Sequence, residues 1–147
     1  MKIHFLGFLF AFVLLASCSD DDEQVYTPTP TPAAAGFTWR ENDPNGAVQT
    51  APTATFSTQY KTMIVKDSND ATLFEINLNG TAAATYTVGP DNAVTYTGIN
   101  PFFVADTGEV IISSNANGKV SGTFEAFRGG SGLTRIYATF TDVTVVP

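Results

Sequence analysis

Side chains able to carry chemistry are few in this 147-residue sequence and unevenly placed. The one histidine, His4, and the one cysteine, Cys18, both lie close to the start. Beyond Cys18 a Ser–His or Cys–His nucleophile has no base, and a histidine-ligated zinc has no ligands. The carboxylates Glu75, Glu109 and Glu125 remain, and two of them set across a cleft would suit the acid and nucleophile roles of glycoside cleavage. Each sits among threonines and serines in a segment of β character, where an outward acid that blunts aggregation is the commoner role. A Ser–Lys pair drawn from Ser57, Ser121 and Lys61 has no better support. Asp43-Pro44-Asn45-Gly46 and Asp67-Ser68-Asn69-Asp70 cluster oxygen atoms, but neither completes an EF-hand loop with its closing glutamate, and such residues are turn formers first. The expectation is a noncatalytic chain with no metal and no cofactor.

Aromatic side chains are the other candidates. Trp39, Tyr60, Tyr96, Phe102, Phe103, Phe127 and Tyr137 exceed what one face of a small sheet must bury. Most belong to a core, and Phe102 and Phe103 must point to opposite faces of an extended chain. Trp39, Tyr60 and Tyr96, if coplanar and exposed, would form a platform for stacking sugars; they are the candidate ligand-binding aromatics.

Stepping along the chain, Lys2 is followed by an apolar run at residues 5–16, too short to cross a bilayer, which takes ~20 apolar residues. It reads as the core of a signal peptide covering residues 1–17. Its end, Leu15-Ala16-Ser17-Cys18, resembles a bacterial lipobox. The resemblance implies that Cys18 carries a diacylglycerol, that its freed amine takes a further chain, and that the protein meets the membrane through lipid, since two or three chains anchor stably where one does not. Next come Ser19 and the acidic block Asp20, Asp21, Asp22 and Glu23. Taken alone this block is a solvated tail. With the cysteine, it resembles the export signal of Bacteroidota surface lipoproteins, which implies an outer-membrane location exposed at the cell surface.

Thr27-Pro28-Thr29-Pro30-Thr31-Pro32 and the small residues through Gly36 form a spacer. Alternating proline favours polyproline II, so ten such residues reach roughly 30 Å. Residues 18–36 are thus the lipidated cysteine, acidic segment and linker, and residues 37–147 one domain. That domain has 6 basic against 10 acidic side chains, a balance of −4, and no basic stripe, which excludes nucleic-acid binding as an expectation.

Threonine, valine, isoleucine and aromatics recur in short runs punctuated by Gly, Asn, Asp and Pro, and no window shows a helical period. Strands are expected at residues 37–40, 54–60, 62–66, 72–77, 85–88, 93–97, 102–105, 109–114, 120–127 and 134–146. Val120, Gly122, Phe124 and Ala126 share one face. Ile136, Ala138 and Phe140 share another, and Val143 and Val145 rejoin it only through a bulge near Thr141-Asp142. The expected fold is all-β, an antiparallel β-sandwich or small barrel with a C-terminal meander. Ala84-Thr85-Tyr86-Thr87-Val88-Gly89, the hairpin at residues 120–124 and the closing strand at 137–145 resemble Bacteroidota lipoprotein domains to which no activity is assigned.

Two functions fit these features. One is a noncatalytic outer-membrane lipoprotein that binds or assembles with an extracellular polymer, such as a glycan, or with an outer-membrane partner protein. The alternative is a small glycan-acting hydrolase using paired carboxylates.

Overall fold

Alternating apolar residues build eleven strands in the computed structural model, which describes residues 35–147; the signal peptide, Cys18, Ser19, the acids Asp20 to Glu23 and the Thr–Pro repeat lie outside that range. The strands are β1 (Gly36–Glu41), β2 (Gln49–Ala51), β3 (Thr53–Ser57), β4 (Thr62–Lys66), β5 (Thr72–Asn77), β6 (Ala84–Thr87), β7 (Ala93–Tyr96), β8 (Phe103–Val104), β9 (Thr107–Ala116), β10 (Lys119–Phe127) and β11 (Arg135–Val146). The expected strands form within a few residues of their expected limits. β2 was not expected, because three residues beside Pro52 carry no readable alternation.

One continuous sheet runs β6-β9-β10-β11-β3-β4-β5-β7-β8, with β1 and then β2 added alongside β11. β11 is the shared spine. One edge pairs with β10, while the other pairs first with β1, over residues 136–141, and then with β3, over residues 144–146. Every pairing is antiparallel except β11 with β3, so the sheet is mixed, where a purely antiparallel one was expected. The sheet curls into a half-barrel, which brings the inward side chains of its two arms together. The ring of Phe37 on β1 lies 5.1 Å from that of Phe74 on β5, and Phe124 on β10 stands 5.9 Å from Phe74. Phe37 and Phe74 are wholly buried. Burying each such side chain contributes about 1.5–3 kcal/mol, and each ring pair adds about 0.5–1.5 kcal/mol.

Two bulges flank β10 at one level. Between Ser121 and Gly122 the register with β9 skips Ser113, and between Val120 and Gly122 the register with β11 gains a residue at 141–142. Asp142 takes φ 51° there, and its amide donates to Ser121 Oγ at 2.9 Å. The expected bulge is therefore present, and it returns Val143 to the core at 3% exposure. Gly122 is obligatory at this level, since a Cβ would stand 1.9 Å from the Ile111 carbonyl oxygen and 2.5 Å from the Phe140 ring. β9 and β10 join through Asn117-Gly118, both at positive φ, 54° and 73°, as a two-residue hairpin turn requires.

Candidate functional site

Residues 37, 39 and 41 of β1 face inward, and residues 38 and 40 face outward. This parity sends Trp39 into the core, at 5% exposure, with Tyr96 at 4%. Trp39 packs edge-on to Phe74 at 5.3 Å, and Tyr96 stacks on Phe74 at 4.5 Å. Tyr60 is apart from both, 71% exposed at the tip of the β3–β4 hairpin. The platform expected of Trp39, Tyr60 and Tyr96 does not form, because the curl of the sheet buries two of the three rings. Phe102 and Phe103 do divide between faces, at 58% and 0% exposure.

At the end of the core one carboxylate oxygen gathers three donors. Glu41 Oε1 accepts from Gln49 Nε2 at 2.8 Å, from Tyr96 Oη at 3.2 Å and from Trp39 Nε1 at 3.3 Å. Burial, and then the negative charge of Glu41, pushes the Tyr96 phenol up to about 12. The cluster holds β1, β2 and β7 together, and its donors are already used.

The outward face of the other arm differs. Cross-strand register there places Thr87 beside Glu109, Glu109 beside Glu125, Glu125 beside Tyr137 and Tyr137 beside Arg40, on β6, β9, β10, β11 and β1 in turn. A neighbouring row runs Thr85, Ile111, Thr123, Thr139, Thr38 and Thr50. An open groove of about 620 Å³ lies over the first row and over Ile111, Thr123 and Thr139 of the second, with Pro44 of the β1–β2 loop in its lining. That volume falls in the range of small-molecule sites. Tyr137 and Phe127 are half-buried, and Ile111 is 40% exposed.

Arg135 organises one side of the groove. Its guanidinium lies 4.3 Å from the Phe127 ring centroid, donates to Tyr137 Oη at 2.8 Å and approaches Glu125 at 3.9 Å. These contacts hold Tyr137 in place, and the same guanidinium lies 5.7 Å from the centroid of its half-buried ring. Among the described residues Glu109 has no hydrogen-bond or ion-pair partner, and the buried Nε of Arg40 has no acceptor. The site therefore combines an oriented aromatic ring, spare acceptors on β9 and β10, a spare donor on β1 and a row of hydroxyls. That combination suits ring stacking and hydroxyl recognition.

Glu75 stands outside this groove. It lies on β5 and accepts from Asn77 Nδ2 at 2.9 Å. The two oxygen-rich loops serve as turns. Asp43 Oδ1 accepts from the Asn45 amide, and Asp67 Oδ1 from the amides of Asn69 and Ala71. The Ala71 amide, and next that of Asn69, holds the Asp67 carboxyl below its ordinary value. Among the described residues no three His, Cys, Asp or Glu side chains gather as a metal site would require.

Arg40, Arg135, Thr123 and Thr139 were not singled out from the sequence, and Phe127 and Tyr137 were noted only as aromatics. Their alternation with core residues was readable; their alignment with Arg40 and Glu109 was not, because β1 pairs with β11 from the far end of the domain and the β9–β10 register depends on the bulge at Ser113. In comparisons with known proteins, the chain matches no family model, no curated protein and no solved structure.

Proposed function

We propose that this chain is a lipid-anchored outer-membrane lipoprotein, attached through Cys18, that displays a noncatalytic binding domain at the cell surface and takes an extracellular glycan in the groove over β9, β10, β11 and β1. The observation that carries the reading is Tyr137, an aromatic ring fixed by Arg135 and set between spare carboxylates and Arg40. Sugars are bound by stacking on such rings while neighbouring polar groups read their hydroxyls. The lipobox-like Leu15-Ala16-Ser17-Cys18, the acids at 20–23 and the Thr–Pro spacer support the address.

Binding is tested with the full chain in detergent, by retardation in native gels containing soluble polysaccharides. Tyr137→Ala should abolish retardation by the polymer that binds wild type, and retardation equal to that of wild type would overturn the glycan reading. Cys18→Ala should release the protein from the membrane fraction. Neutralising Asp20 to Glu23 should remove it from protease attack on intact cells.

One observation favours the hydrolase reading: Glu109 and Glu125 face each other in register within the groove, with Cβ atoms about 5 Å apart by sheet geometry. That spacing approaches the separation of a retaining carboxylate pair. Both rise from the floor of one sheet, however, so neither is placed across a scissile bond from the other. Release of reducing ends from a bound polymer, abolished by Glu125→Gln, would favour hydrolysis over binding.

A further inference from the structure

We infer that the groove selects an uncharged, hydroxyl-rich glycan lying across the strands, along the row from Thr87 to Arg40, and rejects uronate polymers; this rests on the glycan reading above. The direction comes from the register. Five consecutive positions on five neighbouring strands form one line, and at ~4.8 Å per strand that line is about 19 Å long. It has room for roughly four sugar rings end to end.

The charge selection comes from what each end of the line lacks. Glu109 and Glu125 are like charges directly opposite each other, an arrangement that destabilises a sheet. The cation nearest Glu125, Arg135, is 3.9 Å away, with its guanidinium committed to Tyr137 Oη and the Phe127 face. Hydrogen-bond donors are therefore wanted over β9 and β10. At the far end Arg40 lines the groove and makes no ion pair among the described residues. A neutral polyol chain suits both ends, since each hydroxyl donates to a carboxylate and each hydroxyl or ring oxygen accepts from a guanidinium. A uronate chain would place repeated negative charge over the unpaired Glu109 and over Glu125, whose only cation stands at 3.9 Å. A polyamine chain would satisfy them and leave Arg40 facing another cation.

The test uses the full chain in detergent, with neutral polymers (mixed-linkage β-glucan, galactomannan, arabinoxylan and an α-glucan), polygalacturonate and chitosan, and with oligomers of whichever neutral polymer binds. At least one neutral polymer should bind, and polygalacturonate should not. Oligomer affinity should climb to roughly four rings and then level off. The doubly substituted Glu109→Gln, Glu125→Gln chain keeps shape while removing charge, and its folding is checked by urea unfolding. It should bind the neutral polymer roughly tenfold more weakly and lose its discrimination against polygalacturonate. Tightest binding of polygalacturonate or chitosan by wild type, or affinity still rising well past the length of the row, would overturn the charge and direction assigned here while leaving a glycan site intact. Binding of none of these polymers would overturn the glycan reading itself.

Discussion

Two clusters of the same chemical parts lie on opposite sides of β1. On the inner side Trp39, Tyr96, Gln49 and Glu41 meet; on the outer side Tyr137, Arg40, Glu125 and Glu109 do. Within the inner cluster one oxygen takes three donors, and both rings are packed against Phe74. In the outer cluster one arginine holds one tyrosine, and an acid and a guanidinium nitrogen are left without protein partners. Aromatic and acidic residues therefore do not mark a site by their presence. What separates the two is whether hydrogen-bonding capacity is spent inside the fold.

Substitutions should affect the two clusters in different ways, beginning with the rings that carry the core. Phe74→Ala should cost about 3–5 kcal/mol in urea unfolding, since it opens a cavity where four other rings meet. Glu41→Ala should cost about 1–3 kcal/mol, because it strips the acceptor from the Tyr96 hydroxyl and the Trp39 indole, and Glu41→Gln should recover part of that loss. In the outer cluster Arg135→Ala should change stability by no more than about 0.5–1 kcal/mol, as exposed ion pairs do, while weakening polysaccharide binding through loss of the Tyr137 contact. A large stability loss there would make the outer cluster structural too.

The titration of Tyr96 sharpens the contrast. Its phenol is raised to about 12 in the fold, above the ordinary value of 10.0. Below the ordinary value both states are neutral and the group contributes nothing. As pH rises from about 10 toward about 12 the unfolded chain ionises first, so stability falls across that window. Phenolate absorbance should show a tyrosine titrating late, and Tyr96→Phe should remove both that step and its share of the alkaline instability.

How much of this was legible in the sequence varies from place to place. The β9–β10 hairpin was, because Asn117-Gly118 fixes the turn and Val120, Gly122, Phe124 and Ala126 fix the inner face. The bulge in β11 was, because Val143 and Val145 break the parity of Ile136, Ala138 and Phe140. The meeting of Glu109 with Glu125 was not. Counting back from the turn without the bulge at Ser113 would set Glu109 against Ala126, on the wrong face of the sheet. The burial of Trp39 and Tyr96 also escaped, since it depends on the curl that lays β1 over β5 and β7, a contact between distant segments that local pattern does not encode.

β1 enters the domain at Gly36 and is hydrogen-bonded on both sides, to β11 along its whole length and to β2 over residues 37–39. A pull delivered through Gly36 along the axis of β1 would meet these bonds in shear, all sharing the load at once, instead of opening them one after another. The same strand carries Arg40 at the edge of the groove. In the proposed reading, tension between the lipid tether and a bound polymer would pass through β1 and its pairing with β11.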